Sequence, residues 1–543
     1  MSKRGKIRWQ TLEHSGPLFP EEYVPLPDGA FITYDGQPVK LNANSKENNL
    51  NLSAEECAYL YCLVKEQDER LSSSSRSSKR KKTVDALFNA NFWNDWQPIL
   101  MKHHPEIVDF NKIDFSNMLN YVSAFKTEKA EIRGMMLPTE KKQEKEEKEQ
   151  IKEDFGLAII DGQTMKIGNF RVQPPSLFIG HDSKLRGKIK KRFKPNEITV
   201  NGTNVHGNDW YKKEVIPSVT YLAKYKNNVT NSYVYISLDR NTSPYVEESD
   251  TVKFDKARSL KENLPLIINR YSADIKSPYI RNQQFGMAVF FLDKMAIRPG
   301  TEKDETVDND TVGLTTLKVS NIKLLPNNQI QINFFGKSSI EFNKQYNFAP
   351  ILYERISSFL KNKKEDDLVF DTINAVSLND YLKSIVPGLT AKVFRTWKAS
   401  SILQNKLSEI KIDVNDSDAV KLQAFKKANI ETARALNHKK LNQDNEQTIK
   451  ELELKIEKET INLNQAQTDK QKESSLKKIE DYKIKLIEKN ENLSTITSKV
   501  NYIDPRIVVA WAKTVEVPIE KIYNSSNLLK FRWAVETRSS WKF

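Results

Sequence analysis

Apolar residues recur at helical spacing from Ser53 to about Arg70 and again through residues 84–135. In the second stretch, aromatic clusters (Phe88, Phe92, Trp93 and Trp96, then Phe110, Phe115, Tyr121 and Phe125) read as core packing rather than as base-stacking platforms. Residues 6–50 carry prolines and short aromatic-rich runs, which predict loops and short strands. From Thr139 to Asp154 almost every residue is Glu, Lys or Gln, so an exposed connecting helix laced by i,i+4 charge pairs is expected there, with a lobe boundary. Short β-like runs separated by turns fill 155–245. Helical spacing returns from Asp255 to Arg298 and predicts two or three packed helices. Ile322 to Leu325, Ile330 to Phe335 and Ser338 to Phe342 then predict a three-stranded meander, with Lys337 in or beside its second turn.

Residues 441–497 break with this pattern. They contain no Gly, Pro or Trp, and apolar residues fall at Ile449, Leu452, Ile456 and Leu463, then at Leu476, Ile479, Tyr482, Leu486 and Leu493. The polar interval from Asn464 to Ser474 predicts two antiparallel helices joined by a turn. Each arm of about 20 residues would reach roughly 30 Å. Beyond them, Asp504 reads as an N-cap and Pro505 as the first helical residue, which puts Tyr502 in an extended turn ahead of an apolar helix.

The chain has 543 residues, enough for three or four compact units. Its 85 Lys and Arg against 71 Asp and Glu leave a net charge of +14, which favours a polyanionic partner such as nucleic acid. Cys57 and Cys62 lie in a helical pattern without metal-ligand neighbours and fit a reducing intracellular compartment. No early segment has the make-up of a signal peptide, and the longest apolar run, Phe285 to Leu292, is too short to span a bilayer, so a soluble protein is expected. The six histidines show no metal-ligand spacing, and neither a Walker loop nor GxGxxG occurs, so nothing calls for a metal or nucleotide cofactor. The basic run Ser72 to Lys82 reads equally as a nuclear-import signal or a solvated loop. Lys184, Arg186, Lys188, Lys190, Lys191 and Arg192 put six cations in nine residues, a density that suits phosphates.

Four further basic residues have settings suited to phosphate chemistry. Arg298 closes an apolar helix before Pro299-Gly300, Lys337 sits on the hairpin turn, Arg395 shares a helix face with Lys392, and His438 ends a helix just before the projecting arm. Singly, each has an ordinary structural role, since helix C-termini attract cations and turn lysines are solvated.

Together with Tyr502 they match a pattern. The stretches Leu12 to Pro17, Leu177-Phe178, Leu292 to Arg298, Asp310 to Gly313, Phe335 to Lys337, Leu389 to Thr396, Asn437-His438, Thr497 to Ala510 and Val517 to Tyr523 resemble eukaryotic type IB DNA topoisomerase I, from Ile7 to Phe543. The family's long charged N-terminal extension is missing, as in a trimmed or naturally short member.

The resemblance implies an α+β fold: a bilobed clamp around DNA, with a mostly helical catalytic domain related to tyrosine recombinases and an antiparallel coiled-coil linker. It divides the chain into 1–22 with 151–245, 23–150, 246–440, the linker 441–497 and a C-terminal domain 498–543. Tyr502 would attack a phosphodiester to leave a 3′-phosphotyrosine, with no ATP. Arg298, Arg395 and His438 would stabilise the transition state, Lys337 would protonate the leaving 5′-oxygen, and Lys392 would add positive charge. Asn501, His181 and the cations of 184–192 would contact double-stranded DNA. A monomer in the nucleus, needing no metal, is the expectation. Two departures border the family's camptothecin site: Ile179-Gly180-His181-Asp182 replaces the usual Arg-Gly-Arg-Gly, and Ser338 stands where Asp commonly follows Gly-Lys.

Two other readings compete. A tyrosine recombinase or integrase shares the same five residue types but usually carries His at the position of Lys392 and lacks the coiled insertion. A catalytically silent DNA-binding scaffold would use only the charge.

Overall fold

The computed structural model describes residues 7–73, 83–180, 184–300, 311–440 and 445–543. His181 and most of the Ser72 to Lys82 run lie outside the described residues. The chain divides into two units, Met1–Tyr245 and Val246–Phe543.

The first unit has two apolar cores interleaved in sequence. One gathers α1 (Ala54–Ser73), α2 (Ala86–Leu100) and α3 (Ser116–Met135) with a three-stranded sheet in which Ile32–Tyr34 lies between Gln37–Val39 and Ile113–Asp114. The expected aromatic clusters pack here: Phe88, Phe92 and Trp96 are fully buried, and the Tyr61 and Phe92 rings stack at 4.7 Å. Phe125, by contrast, is exposed. Both cysteines are buried on α1, and burial pushes their thiols well above the usual range. The other core is built on strands. Leu12–His14 pairs in parallel with Asn204–Val205 and antiparallel with Leu157–Ile160, so residues 26–122 form an excursion with a core of its own. A second four-stranded sheet runs in the order Lys212–Glu214, Thr199–Asn201, Tyr221–Lys226, Tyr233–Ser237. The charged helix is α4 (Pro138–Phe155), with no buried residue and with Lys142–Glu146 and Lys148–Glu144 pairs along it.

The basic run 184–192 departs from expectation. Arg192 is 7% exposed, pairs with buried Glu56 at 2.8 Å and donates to the Glu21 carbonyl at 2.7 Å. Arg186 is 6% exposed and pairs with Asp85 at 3.0 Å. Lys188 and Lys191 pair with Asp95 and Glu197. Half-buried Lys190 holds its ammonium 5.6 Å from the Phe178 ring centre, and Lys184 is exposed. The strand Ile189–Lys190 pairs with Ser176–Leu177, and Ile189 and Leu177 enter the helical core. Arg186 and Arg192 are therefore corrected from phosphate contacts to internal staples, because a buried cation must be met by protein oxygen.

In the second unit, the stretch 255–298 forms α5 (Pro244–Ile275) and α6 (Ile280–Met295). The expected meander is antiparallel over Ile322–Leu325, Gln329–Gly336 and Ile340–Asn347, its third strand starting later and running further than Ser338 to Phe342. Asn327 and Asn328, both at φ 58°, supply its first tight turn. Around it pack α7 (Pro350–Leu360), α8 (Ala375–Ile385), α9 (Ala391–Glu409) and α10 (Asp418–Ala435). The helical hairpin is α11 (Glu446–Asn464) and α12 (Asp469–Asn490). It is antiparallel, since Glu459 meets Lys478 at 3.2 Å and Asn445 meets the Lys489 carbonyl at 3.0 Å. Its turn is shorter than the polar interval: Thr468 caps the Gln471 amide, and Asp469 to Ser474 already belong to α12. Ile484 and Leu493 bury against Ile430 and Ala433 of α10, which roots the hairpin. Then follow α13 (Thr495–Asn501), α14 (Pro505–Thr514) and α15 (Ser525–Lys530).

Arg192→Ala should strand the Glu56 carboxylate, which burial already pushes above its usual pKa against the pull of Arg192. The expected cost is about 3–5 kcal/mol, read in urea unfolding of the full chain, with most of it recovered by Arg192→Met combined with Glu56→Leu. An unchanged midpoint for Arg192→Ala would return Arg192 to the surface.

Candidate active site

The site forms where three helix ends meet α9. At the end of α6, Ala296 adopts the left-handed conformation at φ 52°, which stops the helix and frees its carbonyl. Beyond Arg298, Gly300 (φ 77°) and Gly313 pack backbone to backbone: a Cβ on Gly313 would come within 2.3 Å of the Gly300 Cα. Leu314 N–H donates to the Arg298 carbonyl at 2.8 Å, which fixes the backbone of this arginine.

Arg395, in the second turn of α9, is 4% exposed. Its Nη1 donates to the Ala296 carbonyl, and its Nη2 donates to the Leu436 carbonyl at 3.1 Å and to His438 Nε2 at 2.9 Å. Asn437, at φ 53°, turns the chain out of α10 and brings His438 in, with the His438 amide donating to Ala433 at 2.9 Å. The other ring nitrogen, Nδ1, lies 2.7 Å from Ser498 Oγ. The segment after His438 pairs with the root of the hairpin, where the Ser494 amide donates to the His438 carbonyl and the Lys440 amide to that of Asn492, both at 2.7 Å.

Tyr502 stands 4.8 Å from the His438 ring and under the Arg395 guanidinium, 5.1 Å from its carbon. The turn that presents it is not extended. Tyr502 is the C-cap of α13, with φ −125° and ψ −29°, and its amide donates to the Ser498 carbonyl. The expected N-cap is present beyond it: Asp504 accepts from the Arg506 amide at 2.9 Å, with Pro505 first in α14. Ser400, on the same helix as Arg395, accepts from the Asp504 amide at 3.0 Å and donates to the Tyr502 carbonyl at 3.4 Å. The backbone of Tyr502 and the side chain of Arg395 thus share one rigid support, α9.

Burial, which favours the neutral phenol, is the largest influence on Tyr502. The charges of Arg395 and Arg298, with their hydrogen bonds, together outweigh it and hold the phenol below its ordinary 10.0. His438 is pushed down to about 2, first by burial and then by both arginines, so its ring is neutral. Arg298, Arg395, His438 and Tyr502 therefore act on one another in one place. Lys337 occupies the expected turn, Lys337–Ser339, and is exposed; Lys392 and Asn501 are exposed as well. None of the three side chains makes a hydrogen bond or ion pair among the described residues, so none is tied to the other four. Sequence reasoning missed Ser400 and Ser498. Their signal was positional: Ser498 lies four residues before Tyr502, and Ser400 lies five residues after Arg395 on one helix.

Comparison with known families settles the kinship. The family model described as "Eukaryotic DNA topoisomerase I, DNA binding fragment" matches residues 7–238, the one for its catalytic core matches 242–474, and a C-terminal topoisomerase domain matches 475–543. The chain belongs to the eukaryotic DNA topoisomerase I family. Among topoisomerase I relatives, the mitochondrial enzyme of Rattus norvegicus is 33% identical over 98% of this chain and 92% of its own length. DNA topoisomerase 1 of Caenorhabditis elegans is 33% identical over 99% of this chain and 68% of its own. DNA topoisomerase 1 alpha of Arabidopsis thaliana is 35% identical over 99% and 60%.

A lowered phenol pKa has a kinetic sign. Single-turnover DNA cleavage should rise with pH and level off below pH 10.0, the ordinary tyrosine value. Arg298→Ala removes one lowering charge, so its midpoint should move upward; a rise of about one on the pH scale makes cleavage about tenfold slower at neutral pH. Arg298→Lys should move it less. Superimposable profiles for wild type and Arg298→Ala would show that this arginine does not control the phenol.

Proposed function

We infer that this topoisomerase relaxes supercoiled duplex DNA by the type IB route: single-strand cleavage, strand rotation and religation, without ATP or metal. The observation that carries the reading is the contact of buried Arg395 and His438 with half-buried Tyr502, lowered phenol pKa included. Tyr502 gives its phenolic proton to water, its Oη attacks the scissile phosphorus, and the bond to the 5′-oxygen breaks. The phosphate becomes a 3′-phosphotyrosine ester, which conserves the bond energy for the reverse step. Lys337, on its exposed turn, protonates the departing 5′-oxygen. Arg298 and Arg395 hold the non-bridging oxygens, and Lys392 adds charge beside them. The fully buried Nε of Arg395 has no partner among the described residues, which leaves a donor for a phosphate oxygen. His438 adds a hydrogen bond to the same phosphate.

After rotation about the uncut strand, the 5′-hydroxyl attacks the phosphotyrosine and releases Tyr502. In this reading Asn501, His181, Lys184, Lys188, Lys190 and Lys191 touch DNA, a two-lobed clamp encloses the duplex, and the catalytic domain is kin to the tyrosine recombinases. The hairpin α11–α12 serves as the linker. The enzyme acts as a monomer in the nucleus, where the Ser72 to Lys82 run would direct it. Lys at 392, and a helical hairpin between His438 and Tyr502, favour the topoisomerase over a recombinase.

Incubated with negatively supercoiled plasmid in EDTA without ATP, the wild type should yield a ladder of relaxed topoisomers, while Tyr502→Phe binds the plasmid and leaves it supercoiled. Lys337→Ala should slow cleavage by about 10²–10⁴-fold. Binding without relaxation by the wild type would leave a scaffold, and joined heterologous duplexes would indicate a recombinase.

A further inference from the structure

Ser498 is fully buried one helical turn ahead of Tyr502, and its carbonyl accepts both the Tyr502 and the Ile503 amides. Its hydroxyl lies 2.7 Å from His438 Nδ1, while Arg395 Nη2 lies 2.9 Å from Nε2. A guanidinium only donates, so Nε2 presents its lone pair. The single proton of the neutral ring is then on Nδ1, and Ser498 Oγ accepts it. The low pKa of His438 keeps the doubly protonated ring out of reach near neutral pH.

This tautomer is the wrong one for the chemistry. A lone pair at Nε2 repels a phosphate oxygen, whereas a hydrogen bond to that oxygen needs Nε2–H. Moving the proton leaves Nδ1 as an acceptor in a buried place, where an unmet acceptor is costly. A hydroxyl meets both states, because it accepts from Nδ1–H and donates to bare Nδ1.

We propose that Ser498 is a positioning residue that sets the tautomer of His438: it accepts from Nδ1–H while Arg395 faces Nε2, and turns to donate to Nδ1 when a phosphate draws Arg395 away. Nε2–H then points at the phosphate. The ring stays neutral, since one proton leaves Nδ1 for water and one joins Nε2 from water. Because the carbonyl of Ser498 also holds the Tyr502 amide, one residue aligns the imidazole and the nucleophile. The proposal rests on the reading of His438 as a phosphate donor.

The test uses the full chain and a duplex whose released 5′-hydroxyl fragment is too short to stay paired, so that cleavage is a single turnover. Ser498→Ala should cleave about 10–100-fold more slowly at saturating DNA, with its Kd for the duplex unchanged. Ser498→Thr, which keeps the hydroxyl, should recover most of the rate. In a His438→Gln background the same Ser498→Ala change should cost less than about twofold, because its effect passes through the ring. With ¹⁵N-labelled histidine, the Nδ1–H pattern of His438 should be present in the free protein with or without Ser498, because Arg395 faces Nε2 in both. On the duplex, in a Tyr502→Phe background, it should give way to an Nε2–H pattern that is lost when Ser498→Ala is added, and an Nε2–H pattern that survives Ser498→Ala would overturn the proposal. Wild-type cleavage by Ser498→Ala, or losses that multiply with those of His438→Gln, would overturn the proposal and reduce Ser498 to packing. Should Ser498→Ala fail to bind DNA, Ser498→Cys, similar in size and poor in hydrogen bonding, is judged by the same criteria. A wild type that leaves DNA uncut defeats the topoisomerase reading itself; a cutting wild type with an equally fast Ser498→Ala defeats only this one.

Discussion

The guanidinium of Arg395, buried to 4% exposure, is the constraint on which the second unit is built. A charge taken out of water costs several kcal/mol unless its donors are met. Here the two terminal nitrogens are met by the ends of helices, through the carbonyl of Ala296 after α6, the carbonyl of Leu436 after α10 and the ring of His438 beyond it, while Nε is left over. Helix C-termini carry partial negative charge, so these places are favourable for a cation before any side chain is considered. Satisfying one arginine therefore draws α6, α9 and α10 to a common point. The apolar core that includes Phe291, Phe394 and Leu436 supplies the burial that makes the demand strict.

Opposed pressures then define the chemistry. Arg298 and burial both work against the charge on Arg395, lowering it to about 10, which still leaves it protonated near neutral pH. The same two cations lower Tyr502 and suppress protonation of His438. Each shift has the sign expected of a dry pocket with excess positive potential, and an anion is what relieves it. A tyrosine beside an apolar helix usually packs and no more. Tyr502 does pack, against the core and the His438 ring, so the ordinary reading of the residue is also true of it. What sets it apart is the company of two arginines, and that is a tertiary fact.

Much of this was legible in the sequence, where local rules and tertiary need agree. Asp504-Pro505 specified a helix start because capping is decided within three residues. The hairpin α11–α12 was visible because each arm carries an apolar stripe at helical spacing, while its turn was overestimated because polar residues on an exposed helix face look like loop. The run 184–192 misled for the opposite reason. Charge density is read along the chain, but burial is decided across it, and Glu56 and Asp85, far away in sequence, turned Arg192 and Arg186 inward. Tyr502 was expected on extended chain because Asp504 and Pro505 mark where a helix starts and carry no sign of another ending just before it; the Ser498 carbonyl closes a helical turn around it.

The serines escaped notice because their residue type carries no chemical signature. A buried hydroxyl has meaning only through what it touches, and both partners are set by tertiary contacts: Ser400 meets the backbone of Tyr502 and Asp504, and Ser498 meets the ring of His438. Both are short side chains with a single rotor, so each fixes its neighbour with little loss of conformational entropy. Between them they hold Tyr502 from two helices, α9 and α13, one of which also carries Arg395. A tyrosine separated in sequence from Arg298, Arg395 and His438 by a long hairpin needs such ties, because the covalent connection alone does not set their distance. The paired segments at 438–440 and 492–494 close the hairpin at its root, and with Ser498 they make the distance from Tyr502 to His438 independent of how far the arms extend.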